Sequence, residues 1–370
     1  MGLPKYTCNN SYVQLWGYLS SAKTSKYVLS HFEVNGSVSS YQYVSNPQDI
    51  RAVVQYRPAV HVFAASDYAG ARIAANATRA VTAPVWPTNY GYYSLDALTW
   101  SKYTFPASVP YSENNVRCSI TYGNRFICTV PNLGIYYSTN GTSWTKSNAS
   151  TAAWSDVAYG AAMYIAVADG TSTYAYSTNG TSWNTRTFPD TMRNPHIIYG
   201  NGMWFVIGQN LENADGKVHR GFGSTDGINW TTYESYNTSM VGNPTNSQPL
   251  ASNGSTILMV TTTPNDSDHI CVGQVNSPTY RNVSKYSYLR IPQGPGCIAY
   301  VDPYWVVSSD QYTGLYVYSD NVWRYVSYPN DVYKIDSMCK FQNYLVGISL
   351  YKIISIPCAE LGQGQIQYQD

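Results

Sequence analysis

Aromatic side chains in polar segments are the clearest candidates for chemistry in this sequence. Tyrosine accounts for 37 of the 370 residues, and many of these tyrosines stand among Ser, Asn and Gly. Such a ring supplies rigid contact area at a low cost in entropy, and its face can stack on a sugar ring. Arginines in the same segments, Arg79 among them, add hydrogen-bond donors of a kind enriched at interfaces. The pattern predicts a binding surface formed by these residues: Tyr68, Arg72, Trp86, Tyr90, Tyr103, Tyr111, Trp154, Arg193, Arg220, Tyr233, Tyr236 and Tyr312. The alternative is that loop tyrosines only cover the edges of sheets.

Histidine, acidic and cysteine residues offer weaker candidates. His61 and His196 fall in strand-like patterns, where a buried and hydrogen-bonded histidine is the expected role. The run Asn265–His269 carries oxygen ligands but lacks the pattern of an EF-hand loop. The seven cysteines have no metal-like spacing, so we expect buried thiols, with a Cys118–Cys128 disulfide as the alternative. We predict no metal site and no cofactor.

A repeated turn supplies the elements that must position the binding surface. Ser-Thr-Asn-Gly-Thr-Ser-Trp occurs at 138–144 and 177–183, and Ser-Thr-Asp-Gly-Ile-Asn-Trp occurs at 224–230. Asp or Asn fixes a tight turn by bonding nearby backbone groups, Gly permits positive φ, and Trp starts the next strand. A degenerate copy at 94–100 has Ala97 in place of Gly, and a trimmed copy lies at 319–323. The residues predicted to build these turns are Asp96, Asn140, Gly141, Trp144, Asn179, Gly180, Trp183, Asp226, Gly227 and Trp230.

The spacing of these boxes and a second motif indicate the fold. Boxes that begin at Ser94, Ser138, Ser177 and Ser224 are separated by 44, 39 and 47 residues. A short strand, a Tyr-Gly turn and a continuously apolar strand come before most boxes. Continuous hydrophobicity indicates burial on both faces. Each unit therefore supplies four short antiparallel strands, and units of about 40–50 residues of this kind are propeller blades.

We accordingly predict an all-β protein with a single β-propeller domain over 1–370. Eight candidate units start near residues 5, 50, 116, 154, 196, 250, 297 and 335, and seven blades is the close alternative. The segment 357–370 is predicted to be a tail or a closing strand, unless the ring closes by another pairing. Second-to-third strand loops and blade-to-blade links should share the ligand face. The long ones are predicted at 66–90, 209–221, 231–250 and 263–279.

The composition excludes several classes of function. Charged residues make up 12% of the chain, about half of the usual share of roughly 25%. The net charge of +1 gives no field of one sign for nucleic acid or an anionic membrane. No run of 18 apolar residues is present, so we expect no membrane insertion. The first residues lack the apolar core of a signal peptide.

The turn motif resembles the Asp-box of sialidases and other BNR-repeat propellers, in a form one residue shorter. The pairing of a Tyr-Gly-Asn-Gly-x-Phe-Val strand with a Tyr-Ser-Thr-Asp-Gly-x-x-Trp hairpin is more similar to repeats of bacteriophage tail and host-recognition proteins. This similarity is clear over 116–230. It implies the propeller fold, and it implies that the boxes lie on the rim opposite the ligand face, where Asn140, Asn179 and Asp226 are structural.

The resemblance also defines an enzymatic alternative. A sialidase-like site implies an arginine cluster, a Tyr nucleophile backed by a Glu, and an Asp acid. Leu289–Pro292 is similar to the Arg-Ile-Pro motif of that family, but here the motif follows most of the boxes instead of preceding them. Glu234 lies near Tyr233 and Tyr236. These departures favour a protein that is not an enzyme.

Taken together, the sequence predicts a non-enzymatic receptor-binding protein of a phage virion, which attaches to a bacterial surface glycan or outer-membrane protein. We expect it in the tail or at a vertex, made in the host cytoplasm without a signal peptide. Other virion proteins are expected partners, and nucleic acid is not. No coiled-coil heptads indicate how it attaches to the virion. The alternatives are a glycosidase, a structural virion scaffold and a soluble lectin.

Overall fold

The computed structural model describes most of the chain as β-strands. The described residues are 13–18, 27–32, 38–44, 59–111, 117–210, 219–234, 248–263, 266–275, 284–290, 295–309, 314–320, 322–329, 331–332, 334–349, 351–363 and 365–367. Within these ranges one short helix occurs, α1 (Cys358–Leu361), and none is long and apolar enough to cross a membrane. The prediction of an all-β fold is confirmed.

The first half of the chain forms three antiparallel sheets. The first has three strands: β1 (Val13–Tyr18), β2 (Tyr27–Phe32) and β3 (Val38–Val44). After β4 (His61–Ala64), the second sheet has four strands: β5 (Ile73–Ala75), β6 (Ala80–Thr82), β7 (Tyr90–Ser94) and β8 (Ser101–Thr104). The third also has four: β9 (Ser119–Tyr122), β10 (Phe126–Val130), β11 (Gly134–Ser138) and β12 (Thr145–Lys146).

Two repeat units share one strand in the middle of the chain. A sheet of seven strands contains β13 (Trp154–Gly160), β14 (Met163–Ala168), β15 (Thr171–Ser177), β16 (Asn184–Gly200), β17 (Met203–Asn210), β18 (His219–Ser224) and β19 (Thr231–Glu234). The first part of β16 pairs with β15 and its last part pairs with β17. It is therefore the fourth strand of one unit and the first strand of the next.

The second half of the chain adds three sheets. One contains β20 (Leu250–Ser252), β21 (Ile257–Thr263), β22 (Asp266–Val275) and β23 (Ser284–Arg290). The next contains β24 (Pro295–Val301), β25 (Tyr304–Ser309), β26 (Gly314–Ser319) and β27 (Val322–Ser327). The last contains β28 (Ser337–Phe341), β29 (Tyr344–Ser349) and β30 (Lys352–Pro357), and β31 (Gln365–Gln367) follows α1.

The last sheet is completed by a strand from the other end of the chain. β4 pairs antiparallel with β30, with Val62 opposite Ile354 and Phe63 opposite Ile353. The C-terminal strand β31 pairs instead with β27. The tail is therefore not the fourth strand of the last sheet, because β4 holds that place.

The first strands of the units form a closed series of contacts. β5 contacts β9, and the series continues through β13, β16, β20, β24 and β28, which contacts β5 again. The core lies between neighbouring sheets, and the second strands β10 and β14 are buried along their whole length. Two predicted loops were wrong, because 66–90 contains β5 and β6, and 263–279 contains β22. The middle parts of 209–221 and 231–250 lie outside the described residues.

Candidate functional site

One rim of the sheets is built from the repeated boxes. In the box at 138–144, Asn140 Oδ1 accepts hydrogen bonds from the backbone N–H groups of Thr142 and Ser143 at 3.0 and 2.8 Å. Ser138 Oγ accepts a hydrogen bond from the Gly141 N–H at 2.8 Å. Asp96, Asn179 and Asp226 bond their own turns in the same way. Each turn is therefore closed by a local side chain, as an Asx-turn is.

The boxes also contact the repeat unit that precedes them in the chain. A Cβ atom added to Gly180, where φ is +73°, would lie 2.7 Å from Ile127 Cδ1 on β10. A Cβ atom on Gly227 would lie 2.7 Å from Ile165 Cδ1 on β14. The box Trp230 packs edge-on against Phe188 with 4.9 Å between ring centroids. These glycines therefore serve the turn and also the close packing of two neighbouring repeat units.

The box at 94–100 reaches the same geometry without glycine. Ala97 takes a φ of 67° and is fully buried. The backbone N–H of Thr99, which donates to the carboxylate, is the main cause that lowers the pKa of Asp96 to about 2. The carboxylate therefore stays ionised at neutral pH and holds a turn in which Ala adopts a left-handed conformation.

The opposite rim, which we call the mouth face, is the side on which the first strand of each unit begins. In an antiparallel four-stranded sheet, second-to-third strand loops and sheet-to-sheet links end on that side. Trp86 lies between β6 and β7, and Tyr111 lies between β8 and β9. Their rings meet edge-on at 5.5 Å, although the two residues are 48% and 63% exposed. This aromatic pair therefore offers a large apolar surface to solvent.

A second aromatic pair lies on the adjacent sheet. Tyr68, in the link from β4 to β5, contacts Tyr351, in the turn between β29 and β30, with ring centroids 5.4 Å apart. Tyr351 is 46% exposed. It was not among the residues predicted from sequence, because it stands alone in a tight turn between two apolar strands. We call Tyr68, Trp86, Tyr90, Tyr111 and Tyr351 the aromatic sector.

Tyr90 joins this sector through polar contacts. Its hydroxyl donates to Asp67 Oδ2 at 3.1 Å, and Lys102 Nζ lies 3.6 Å from its ring centroid. Partial burial, followed by the contact with Asp67, raises the pKa of Tyr90 to about 12. The phenol therefore remains a neutral donor at neutral pH.

Two predicted binding residues are core residues instead. Trp154 is fully buried and donates from Nε1 to the Ser150 carbonyl oxygen at 2.9 Å. Tyr103 is 5% exposed, and its hydroxyl donates to the Thr82 carbonyl oxygen at 2.6 Å. Their assignment to an exposed binding surface is corrected, because both rings fill space between sheets.

The remaining predicted contact residues are described in part. Arg193 is exposed where β16 passes from one unit to the next. Arg220 lies near the start of β18 and Tyr233 near the end of β19, so both backbone positions are on the mouth-face side. Tyr236 and Tyr312 lie outside the described residues.

A cavity of about 330 Å³ lies at the centre of the mouth face. The starts of β5, β9, β13, β20 and β28, and the last part of β16, line it. Ser119, Asp156 and His196 occupy the same repeat position, three residues before the tyrosine of each Tyr-Gly turn. Arg72 holds the corresponding position before β5. We call these four residues the mouth cluster.

Asp156 is the centre of the mouth cluster. It accepts hydrogen bonds from Ser119 Oγ at 2.6 Å and from the backbone N–H groups of Val157 and Ile197 at 3.0 and 3.1 Å. Burial alone would raise its pKa, but the charge of Arg72 and the contacts with His196 and Ser119 lower the pKa below its ordinary value. A single buried carboxylate thus joins β9, β13 and β16.

Arg72 extends from β5 to the far side of the cavity. Its Nη2 atom lies 3.2 Å from His196 Nδ1, and His196 Nδ1 lies 3.5 Å from Asp156 Oδ2. His196 Nδ1 therefore lies between the guanidinium of Arg72 and the carboxylate of Asp156. Arg72 was predicted as a loop donor, but it is 7% exposed. It lies inside the cavity with its charge balanced by Asp156.

Other polar residues continue the lining around the cavity. Ser337 Oγ accepts from the Ile73 N–H at 3.2 Å and donates to Gln248 Oε1 at 2.9 Å. Beside the residues that line the cavity, Arg117 and Asp336 form an ion pair with 3.0 Å between Nη1 and Oδ2. These contacts connect sheets that are distant in sequence, so they fix the width of the mouth.

Tyrosines line the deeper part of the cavity. A Cβ atom on Gly123 would lie 2.4 Å from the Tyr159 ring, and one on Gly160 would lie 2.1 Å from the Tyr199 ring. These two Tyr-Gly turns therefore let the tyrosine of the next repeat unit pack directly on the glycine, whereas a Cβ atom on Gly200 would meet Ser252. The cavity has polar groups at its mouth and aromatic rings, Tyr122, Tyr159 and Tyr199, deeper inside.

The sequence reasoning missed Ser119, Asp156 and His196 as a site. The available signal was a polar residue at one repeat position of an otherwise apolar first strand. His196 is buried and bonded as expected, whereas His61 is exposed. The hydroxyl of Ser119 donates to the Asp156 carboxylate, so its proton is directed toward the centre of the cluster.

Metal and thiol chemistry finds little support in the described part of the chain. There, no group of three His, Cys, Asp or Glu side chains could hold a metal ion. The side chains of Asp266–His269 lie outside the described residues. Cys118 and Cys128 are buried free thiols, and burial raises the pKa of both.

Comparisons with known proteins support the fold alone. No family model matches the sequence, and no curated protein matches it. The chain is similar to a streptogramin B lyase structure at 10% identity, with a TM-score of 0.60 over 80% of this chain and 96% of that one. It is similar to a chain of the BBS1N–ARL6DN complex at 10% identity (TM-score 0.55; 81% and 97% covered). It is also similar to a chain of a Mitotic Checkpoint Complex at 8% identity (TM-score 0.54; 84% and 99% covered). These neighbours are propeller-like proteins.

Proposed function

We propose that this chain is a seven-bladed β-propeller. The closed series of contacts from β5 to β28 supports seven blades, and the β4–β30 pairing supports ring closure by an N-terminal strand. The sheet of β1–β3 stands outside this series among the described strands. An experimental density map with seven sheets about one axis is the expected result. A ring of six or eight sheets would overturn the proposal.

We further propose that the protein is a receptor-binding protein of a phage virion, which attaches to a bacterial surface glycan or protein without turnover. The observation that carries this proposal is the aromatic sector. Exposed aromatic patches on a soluble protein mark interaction sites, and Trp and Tyr are enriched in binding hot spots. The similarity of the boxes to phage host-recognition repeats gives the kind of partner.

The glycosidase alternative receives less support. Glycoside hydrolysis generally uses two carboxylates that flank the bond, whereas Asp156 is the one carboxylate among the residues that line the cavity. Arg290 ends β23 and Glu234 ends β19, and both strands are the outermost of their units. The candidate enzymatic residues therefore lie away from the central cavity.

Binding to bacterial cells tests the proposed function. Fluorescently labelled protein should bind at least one strain of a bacterial panel and should block infection of that strain by a phage carrying this protein. A Trp86→Ala/Tyr111→Ala variant should lose about tenfold or more in binding, because aromatic hot spots contribute on that scale. The matched control is Thr145→Ala, which alters an exposed side chain in β12 near the box rim.

The outcome separates the alternatives. If the protein binds no strain and blocks no infection but is present in purified virions, it is a scaffold and the proposal fails. Hydrolysis of chromogenic glycosides that is lost in Arg290→Ala or Glu234→Gln would instead establish the glycosidase.

A further inference from the structure

We propose that the cavity at the mouth cluster receives one uncharged sugar residue of the surface glycan. This inference rests on the proposed function in its glycan form, and it adds a second site to the aromatic sector. The sequence assigned no role in binding to Asp156, His196 or Ser119. The inference depends on the size, charge and position of the cavity.

The size of the cavity selects a small ligand. Its volume of about 330 Å³ is at the lower end of the range of roughly 300–1,000 Å³ that is typical of ligand pockets. Such a space holds one monosaccharide ring, whereas a peptide loop or a folded partner is too large to enter it. The rest of a receptor would remain on the mouth face.

The charge of the mouth cluster favours an uncharged ligand. Arg72 and Asp156 carry opposite charges, and they lie on either side of one imidazole, with His196 Nδ1 3.2 Å from Arg72 Nη2 and 3.5 Å from Asp156 Oδ2. An anionic ligand would approach the buried carboxylate of Asp156, and a cationic ligand would approach the guanidinium. Burial of an unbalanced charge is costly, so a ligand of hydroxyl groups is the better match.

The lining matches the two kinds of surface on a sugar. Donors and acceptors of Arg72, Gln248 and the rest of the mouth cluster surround the entrance. Deeper in, Tyr122 and Tyr159 belong to the lining, together with aliphatic side chains of the first strands. A sugar ring presents apolar C–H faces and polar edges, which this division of the cavity can accommodate.

The position of the cavity links it to the aromatic sector. Tyr68 and Arg72 lie in the same link between β4 and β5, four residues apart. A glycan whose terminal residue enters the cavity can therefore continue outward over Tyr68. The two sites together would bind the terminal sugar of a glycan and the sugars next to it. Binding at both sites is more selective than binding at either one alone.

Saturation-transfer NMR with methyl glycosides tests the cavity directly. The probes are methyl glycosides of glucose, galactose, mannose and their N-acetylated amino sugars, with methyl glucuronide and methyl sialoside as charged comparisons. Wild-type protein should show transfer to at least one uncharged glycoside and weaker transfer to both charged ones. The Arg72→Met/Asp156→Asn variant removes both charges together, and it should reduce affinity at least about tenfold because a hydrogen-bonding site is lost.

Two further variants keep the test falsifiable if the double variant folds poorly. Gln248→Met changes a half-buried side chain at the entrance and should weaken the same interaction, while Thr145→Ala should leave it unchanged. The cavity inference is wrong if wild-type protein binds cells but no uncharged glycoside, or if the glycoside signal persists in Gln248→Met and the folded double variant. Glycoside binding without cell binding would sustain the cavity site and overturn the proposed function.

Discussion

The two rims of the sheets use polar side chains in opposite ways. At the box rim, Asn140 and Asp226 are exposed and bond the backbone of their own turns. At the mouth face, Asp156 is buried and bonds groups from three strands, and Arg72 contacts His196 three first strands further on. The box rim thus shapes each turn by itself, whereas the mouth face depends on several repeat units being packed together.

This difference separates the energetic roles of the two regions. An exposed side chain in a turn can exchange its partners with water, so its loss costs little. A buried carboxylate cannot replace its partners with water. Removing it leaves the charges and N–H groups that it contacts unsatisfied. The same Asp→Asn change should therefore have very different effects at the two rims.

The largest effect is expected for Asp156→Asn. One carboxylate oxygen would become an amide NH₂ that faces a backbone N–H, of Val157 or of Ile197, and the negative charge that offsets Arg72 would be lost. Breaking a buried charge pair costs about 3–5 kcal/mol, so urea unfolding at pH 7 should show a loss of that size. The double variant Arg72→Met/Asp156→Asn should recover part of the loss. A loss below about 1 kcal/mol, the centre of ordinary substitutions, would remove the distinction between the rims.

A smaller effect is expected for Gly180→Ala at the box rim. The alanine would have to adopt the φ of +73° that Gly180 has, and its Cβ atom would lie 2.7 Å from Ile127 Cδ1. Left-handed backbone costs about 1–2 kcal/mol, and overpacking adds about 1–3 kcal/mol. The matched control is Gly202→Ala, where φ is +71° and no atom lies within 4 Å. Equal losses in thermal or urea unfolding would show that the box does not hold neighbouring sheets together.

The sequence predicted the box rim well because its interactions are local. The turn at Asn140 is formed by seven consecutive residues, so their types and spacing were enough to predict it. The mouth cluster joins Arg72, Ser119, Asp156 and His196, which are far apart in sequence. The sequence signal for this cluster is a polar residue that recurs at the same repeat position, three residues before the tyrosine of a Tyr-Gly turn.

Other differences have the same origin. Tyr103 and Trp154 were placed in loops because their neighbours are polar, but packing between sheets buries them. The pairing of β4 with β30 could not be inferred, because the two strands lie near opposite ends of the chain. Strands such as β5 and β6 have only three residues each. Such short strands show too little hydrophobic periodicity to be distinguished from a long loop.

The smallest effect is expected for Asp226→Asn. Asn occupies the equivalent place at Asn140 and Asn179 and makes the same two backbone bonds. The variant loses the acceptor for Asn229 Nδ2, which now lies 2.7 Å from Asp226 Oδ2. Surface interactions of this kind contribute at most about 0.5–1 kcal/mol, so the unfolding free energy at pH 7 should change by less than that.

The pH dependence of this small difference has a defined sign. The backbone N–H of Asn229, followed by that of Ile228, lowers the pKa of folded Asp226 below its ordinary value of 3.8. The contribution of the ionised carboxylate is therefore present above that value and is lost as the pH falls through the folded pKa. Urea unfolding of wild type and variant should give curves that converge below about pH 4, near the ordinary pKa of Asp. Curves that diverge in acid would mean that the carboxylate destabilises the turn, and the amide would then be the better residue for this motif.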